Sequence, residues 1–214
     1  ILLIDYTMIL LRRYLLYLIA VILIAVAFTY ASAKLYEEFA FIKNDNWQIL
    51  PSPGDKDRDM YTRAAVAMRG TFALSKPEAA YFHAFNDIED VKLIGNCTYN
   101  IIGDDIESRW WSITVYNEDG YLVENDEKIY ALNSETVDFN FEGGFEIFLT
   151  SEDNFISEIS EKNWIRVPND EHFSVALRIY LPGEEYFSKL KRVDLPKIET
   201  VSYTHLRAHE TVMN

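Results

Sequence analysis

Arginine and aromatic side chains are concentrated in two segments of the chain that alternate as β-strands do. The first segment is Arg109–Asn117, with the sequence RWWSITVYN, and the second is Phe173–Leu181. Alternate residues of a strand point to the same side of the sheet. This rule places two side chains of each segment on a polar and aromatic face: Trp110, Tyr116, Arg178 and Tyr180.

An arginine surrounded by tyrosine and tryptophan is typical of a cleft for a carboxylate, a sugar or an aromatic ligand. The guanidinium offers a planar fork to an anion, and aromatic rings stack on sugars or cations. The alternative is a structural arginine that stacks on tryptophan and pairs with one of the many carboxylates. The residue types alone leave both interpretations open.

His83 is the histidine best placed for acid–base chemistry, because Asp87 or Glu89 could orient its ring. The alternative is an ordinary strand histidine. No serine or cysteine stands in a nucleophile motif, and the single cysteine, Cys97, excludes an intrachain disulfide. We therefore add His83 to the predicted ligand-binding residues, expect Cys97 to be a buried thiol in a strand, and assign no catalytic residue.

Clustered acids raise a second kind of chemistry. Asp104, Asp105 and Glu107 could serve glycoside hydrolysis or calcium binding, but a solvated turn is the favoured explanation. His205 and His209 have the spacing of metal ligands on a helix, but they lie in a tail that we exclude below. We predict no metal site and no cofactor.

The elements that must position these residues are mainly strands. Turn signals recur at regular intervals without an amphipathic helix between them, which predicts an antiparallel β-sandwich of jelly-roll type. We expect a helix over about 58–74, capped by Asp55 or Asp57, a connector at 34–54 and the sandwich domain over 55–200. The predicted strands are 80–85, 92–101, 110–117, 121–124, 128–132, 137–141, 145–150, 164–167 and 173–181.

Residues 14–33 form an apolar run without a charge. A helix of this length rises about 30 Å, which matches the hydrocarbon core of a bilayer. Arg12 and Arg13 precede the run, so the positive-inside rule predicts a single-pass inner-membrane protein with residues 1–13 in the cytoplasm and the domain in the periplasm. The alternative is a signal peptide that exports the domain after cleavage behind Ala33.

Both ends of the chain differ in character from the rest. Residues 1–7 read as translation upstream of a start at Met8, and residues 201–214 resemble a translated adaptor sequence that recurs at the ends of unrelated proteins.

The formal net charge is −14. Because an acidic surface repels phosphate backbones, nucleic acid is excluded as a partner.

The stretch from about 47 to 198 resembles the family called domain of unknown function 1214. The resemblance implies a β-sandwich of jelly-roll type and no established activity. It also implies the short, membrane-tethered bacterial form, which lacks the domain of unknown function 1254 that often precedes this one. The matching pieces include Tyr61–Ala64, Tyr81–Phe82, Gly95–Tyr99, Arg109–Tyr116, Gly120–Val123, Asn140–Gly144, Asn163–Trp164 and Phe173–Pro182.

The sequence thus predicts a membrane-tethered periplasmic domain that binds a small molecule, a glycan or an envelope partner without catalysis. One alternative is a carbohydrate-active or other hydrolase that uses carboxylates in a jelly-roll cleft. Another is a structural subunit that docks to a partner carrying the missing domain. Binding would be favoured if Arg178, Trp110 and Tyr116 line one open pocket, and catalysis if two carboxylates face each other across that pocket. Docking would be favoured if the polar residues are buried and fully paired and a broad apolar patch lies elsewhere.

Overall fold

The computed structural model describes residues 2–68, 73–152 and 163–201. It contains two compact units. The first holds two helices, α1 (Leu2–Ala40) and α2 (Met60–Met68). The second holds the strands and a short helix, α3 (Glu185–Ser188). The helix predicted over 58–74 therefore groups with the N-terminal helix rather than with the strands.

The second unit contains ten strands within the described residues. Their order along the chain is β1 Ile42–Asn44, β2 Trp47–Ile49, β3 Ala79–Ala84, β4 Tyr99–Asp104, β5 Trp110–Asn117, β6 Ala131–Asn133, β7 Gly144–Thr150, β8 Trp164–Arg166, β9 Phe173–Tyr180 and β10 Lys197–Thr200. They form a six-stranded sheet in the order β1-β2-β3-β9-β5-β6 and a four-stranded sheet in the order β10-β4-β7-β8. All neighbours are antiparallel except β7 and β8, which are parallel. The predicted mainly-β sandwich is confirmed.

The core follows from the period of two along each strand. Trp111, Ile113 and Val115 are buried on one side of β5, and Val175, Leu177 and Ile179 are buried on the same side of β9. Ile147 and Leu149 of β7 join them from the other sheet in one hydrophobic cluster. Apolar burial of this kind is the dominant stabilising term in folding. The opposite side of β5 and β9 is left to carry the polar and aromatic residues.

Four predicted strands are wrong in part. Of the predicted strand 128–132, only residues 131 and 132 belong to a strand, β6. Residues 92–98 form a loop with isolated bridges, and β4 starts only at Tyr99. The segments 121–124 and 137–141 each contribute a single bridge. The apolar residues in these segments alternate, but turns and side-chain hydrogen bonds hold the backbone instead of a ladder. An example is the hydroxyl of Tyr99, which accepts a hydrogen bond from the backbone N–H of Ile94 at 3.0 Å.

The predicted connector at 34–54 is more ordered than expected. Helix α1 continues to Ala40, and β1 and β2 form a hairpin that extends the six-stranded sheet. Its two-residue turn places Asp45 in the left-handed region at a φ of 50°, which aspartate tolerates better than most residues. The indole N–H of Trp47 donates to the carbonyl oxygen of Pro196 at 2.6 Å, which fixes the hairpin to the end of the domain.

Helix α2 is capped by Asp59 rather than by Asp55 or Asp57. The Asp59 carboxylate accepts hydrogen bonds from the backbone N–H groups of Tyr61 and Thr62 and from the Thr62 hydroxyl. These bonds, with that of the Thr62 hydroxyl first, lower the pKa of Asp59 to about 2. The helix is also shorter than predicted, and residues 69–72 lie outside the described part of the chain.

Helix α1 contains a run, Tyr6–Tyr36, that is long and apolar enough to cross a membrane. Most of its side chains are exposed. The hydroxyls of Thr29 and Ser32 are satisfied inside the helix, because Thr29 donates to the carbonyl oxygen of Ala25 and Ser32 to that of Thr29. Length and composition are compatible with a membrane anchor and equally with a signal sequence.

Candidate functional site

The outward side of the six-stranded sheet carries every residue predicted as a ligand contact. Strand register aligns these residues in adjacent rows. We call the surface the arginine face and define it by its larger side chains: Tyr81, His83, Trp110, Tyr116, Arg178 and Tyr180. Tyr81 lies directly opposite Arg178, which in turn lies opposite Ser112.

Arg178 is at the centre of the arginine face and binds only neutral groups. Its Nη1 donates to the Thr114 hydroxyl at 2.9 Å, and its Nη2 donates to the Tyr116 hydroxyl. The guanidinium carbon also lies 5.5 Å from the centroid of the Tyr116 ring. Within the described residues, Arg178 makes no ion pair with a carboxylate. Its remaining N–H groups are therefore available to an anion.

The arginine face is free of acids at its strand positions, although the chain contains 34 aspartates and glutamates. Its charged or titratable outward residues are Lys43, Tyr81, His83, Tyr116, Arg178 and Tyr180. The remaining outward positions on β2, β3, β5, β6 and β9 are neutral. Because no acid stands at these strand positions, the Arg178 charge has no carboxylate beside it among the described residues, although the net charge of the protein is strongly negative.

Aromatic rings surround Arg178. The Trp110 and Tyr180 rings lie with their centroids 5.4 Å apart, and the Tyr81 hydroxyl accepts a hydrogen bond from the backbone N–H of Leu74 at 3.0 Å. Burial raises the pKa of Tyr81, while the Leu74 N–H and the Arg178 charge act in the opposite direction. Between these large side chains lie small buried ones, Ser112, Thr114 and Ala176.

His83 lies on the arginine face opposite Ala176, but Asp87 does not orient it. One Asp87 oxygen accepts hydrogen bonds from the backbone N–H groups of Glu89 and Val91. The other accepts from the Thr200 hydroxyl at 2.7 Å. Asp87 therefore organises the loop after β3, and the expected histidine–aspartate pair is absent.

The clustered acids after β4 have a structural contact. Asp105 accepts a hydrogen bond from the indole N–H of the buried Trp111 at 3.1 Å. Within the described residues, no group of three or more His, Cys, Asp or Glu side chains is arranged to hold a metal ion. His205 and His209 lie outside the described residues. The thiol of Cys97 is partly buried in a loop, not in a strand, 3.5 Å from the Asn96 side-chain oxygen.

A second candidate site was not predicted from the sequence. It is a cleft of about 1090 Å³ beside β6 and β8. Arg166 forms ion pairs there with Glu127 at 3.3 Å and with Glu152 at 3.1 Å, and its guanidinium carbon lies 5.5 Å from the Trp164 ring centroid. We call this site the paired-arginine cleft. Its acids and its arginine are far apart in sequence, so no local motif indicated it.

The same reasoning missed two partners on the arginine face. Thr114, which binds Arg178, alternates with Trp110 and Tyr116 on the same side of β5 but was not among the predicted site residues. Tyr81 was left out of the predicted site, although it alternates with His83 along β3. The period of two was the signal that could have found Tyr81, since it places both side chains on one side.

A comparison with one solved structure supports the fold. The VPA0106 protein from Vibrio parahaemolyticus matches with a TM-score of 0.57 at 22% identity, over 68% of this chain and 36% of that one. A putative uncharacterized protein from Burkholderia cenocepacia matches at 18% identity over 61% of this chain and 31% of that one, with a TM-score of only 0.39. This chain thus spans about a third of the length of either protein.

A search of curated proteins found no match. A family profile described as a protein of unknown function (DUF1214) matches residues 78–184. The matched region runs from just before β3 to just after β9, and so contains most of the arginine face and the whole of the paired-arginine cleft. By this match the chain belongs to the DUF1214 family.

Proposed function

We propose that this protein is a membrane-anchored periplasmic binding protein whose arginine face holds a small ligand through a carboxylate, without catalysis. The observation that carries the proposal is the state of Arg178. Its guanidinium is half-buried and bound only to hydroxyls, and the face around it carries no acid. The charge thus has no internal counter-ion among the described residues.

The chemistry of the arginine face favours a ligand that joins a carboxylate to a ring. Arginine binds carboxylates through paired N–H groups, and a hydrogen bond to a charged group contributes about 1.5–3 kcal/mol. The rings of Trp110, Tyr180 and Tyr81 supply surfaces on which an aromatic or sugar ring can stack. A docking subunit without a ligand would be expected to pair Arg178 internally, which the described residues do not do.

The proposed anchor is α1, oriented by Arg12 and Arg13 on the cytoplasmic side. Retention of α1 is supported by the structure around the alternative cleavage site. Ala33 lies within the unbroken helix Leu2–Ala40 and is buried. Proteases favour exposed and irregular segments, so cleavage behind Ala33 would require this helix to open.

Catalysis by the paired-arginine cleft is the second candidate, since Glu127 and Glu152 both border it. Each carboxylate, however, forms an ion pair with the one guanidinium of Arg166. Glycoside hydrolysis needs one carboxylic acid that donates a proton. Since a single guanidinium engages both carboxylates, the binding function is the one we favour.

A thermal-shift series on the full chain in detergent micelles tests the binding function. The probes are phenylacetate and benzoate, with benzyl alcohol as an uncharged control. We expect a rise in melting temperature with the two carboxylates only. The rise should be lost in Arg178→Gln, kept in part in Arg178→Lys, and unchanged in the matched variant Arg166→Gln. Equal shifts in Arg178→Gln and the unmodified protein would refute the role of Arg178.

The anchor and its orientation are tested separately. Alkaline phosphatase fused after residue 201 should be active, because it requires export, and the intact mass of the membrane-extracted protein should include α1. A mass that corresponds to a chain starting at Lys34 would show that the segment is a cleaved signal. An inactive fusion would place the sandwich in the cytoplasm.

A further inference from the structure

We infer that the end of α1 and the start of α2 form a lipid-contacting element at the outer surface of the membrane. We call it the interfacial collar and define it by five residues: Leu35, Tyr36, Phe39, Met60 and Tyr61. It lies wholly within the first compact unit. The inference rests on the anchor in the proposed function and is independent of the arginine face.

Tyr36 joins the two helices. Its hydroxyl donates to the Asp59 carboxylate at 3.2 Å and lies 2.9 Å from the Thr62 hydroxyl. Its ring stacks on that of Tyr61, with centroids 5.2 Å apart and an angle of 29° between the planes. Since Asp59 also caps α2, the first turn of α2 is held at the level of Tyr36 on α1.

That level is the membrane–water interface. The charge-free run 14–33 spans about 30 Å as a helix, the thickness of the hydrocarbon core. Tyr36 lies three residues beyond the run, about 4.5 Å further along the axis, where lipid headgroups begin. Tyrosine is enriched at this depth because its ring is apolar and its hydroxyl polar. Tyr36 and Tyr61 thus have the position and the chemistry of interfacial anchors.

The apolar side chains beside the tyrosine pair are unusually exposed. Met60 is 82% exposed and Phe39 is 79% exposed, and Leu35 is exposed as well. Single exposed apolar residues are common on soluble proteins, but Leu35 and Phe39 lie within one helical turn of Tyr36, and Met60 is adjacent to Tyr61. Burial in the headgroup and acyl boundary would remove them from water, as it does for interfacial helices.

Lipid is the occupant that the position favours over a second copy of the chain. Exposed apolar side chains of α1 line the charge-free run 14–33 and continue beyond it at Leu35 and Phe39. The collar is the continuation of that surface at the point where α2 is attached. A bilayer that covers the span therefore reaches the collar without any additional partner.

Fluorescence quenching by brominated lipids in proteoliposomes of the full chain tests the collar. A tryptophan is introduced at three exposed positions: Met60→Trp in the collar, Ile22→Trp in the span and Tyr121→Trp in the sandwich. Signals are corrected for the native tryptophans with the unmodified protein. With bromine placed near the headgroup, we expect Met60→Trp to be quenched at least about half as strongly as Ile22→Trp. With bromine at the end of the acyl chain, the quenching of Met60→Trp should be weaker than with bromine near the headgroup. Tyr121→Trp should show none.

The outcomes separate the two claims. If Ile22→Trp is quenched while Met60→Trp behaves as Tyr121→Trp does, the collar is wrong and the anchor stands. If neither Ile22→Trp nor Met60→Trp is quenched, the segment is not in the bilayer, and both the anchor and the collar are wrong. All three replaced side chains are exposed, so none of the substitutions removes a core contact.

Discussion

Two partly buried arginines of the sandwich, Arg166 and Arg178, differ in the groups that contact their guanidinium. Arg166, whose side chain is 13% exposed, is neutralised by Glu127 and Glu152. Among the described residues, Arg178 has only hydroxyl hydrogen-bond partners, Thr114 and Tyr116. Both guanidinium groups also lie 5.5 Å from an aromatic ring centroid. Aromatic contact is therefore common to the two sites, and the presence or absence of acids is what distinguishes them.

The difference is informative because acids are abundant. The chain contains 34 acidic and 20 basic residues, yet no acid occupies a strand position beside Arg178 in the described part of the chain. The strands around Arg178 exclude acids and keep large aromatic side chains. Since removing a charge from water without a partner is costly, such an arrangement is more easily explained by an external anion than by stability.

The largest effect is expected from adding an acid beside Arg178. Ser112 lies directly opposite it in the sheet register, so Ser112→Asp should supply the missing counter-ion. We expect carboxylate binding to weaken about tenfold to a hundredfold, the loss of one charge-assisted interaction. Isothermal titration with phenylacetate measures it. Ser112→Asn, which has the same size without the charge, should bind far better, and equal loss in both variants would point to steric blockage.

Removing the two acids beside Arg166 should leave this arginine without an ion pair, as Arg178 is among the described residues. In the double variant Glu127→Gln, Glu152→Gln, Arg166 loses both counter-ions, so we expect a new and weak carboxylate site, with a Kd of about 1 mM. Because the Arg166 side chain is only 13% exposed, the loss of both partners should lower the free energy of unfolding, and chemical unfolding checks that the fold is retained. Titration of this variant in an Arg178→Gln background isolates the new site. No binding there would show that lack of pairing is insufficient.

A smaller effect is expected from Tyr116→Phe. The variant keeps the ring beside Arg178 and removes the hydroxyl that accepts its hydrogen bond. We expect a loss of about 1 kcal/mol in the free energy of unfolding and a weakening of phenylacetate binding by only a few fold. Chemical unfolding and titration measure the two quantities. A loss of binding as severe as that of Arg178→Gln would mean that the hydroxyl itself contacts the ligand.

The sequence predicted those parts of the structure in which local pattern and tertiary environment agree. The alternation in 110–117 and 173–181 defined β5 and β9 and assigned their faces, because a buried side imposes a period of two. The β1–β2 hairpin was missed for the opposite reason. Its strands are three residues long, and Asp45 and Asn46 read as a disruption although such residues form tight hairpin turns.

The candidate sites were likewise predictable only where the pattern within a single strand decides the outcome. The face that carries Arg178 follows from alternation within single strands. The state of Arg178 does not, because whether an acid reaches it depends on which strands are neighbours. The cleft at Arg166 was beyond local pattern altogether, since Glu127 lies 39 residues away in sequence and β8 reaches its position through a parallel pairing with β7.

The most direct measurement observes both arginines in one sample. Side-chain Nε–Hε resonances of the full chain, labelled with ¹⁵N in detergent micelles, can be assigned with Arg178→Lys and Arg166→Lys and followed during titration with phenylacetate. If the unpaired arginine is the binding group, the Arg178 resonance shifts and saturates while that of Arg166 stays in place. Movement of the Arg166 resonance alone, or of neither, would contradict the assignment of the arginine face as the site.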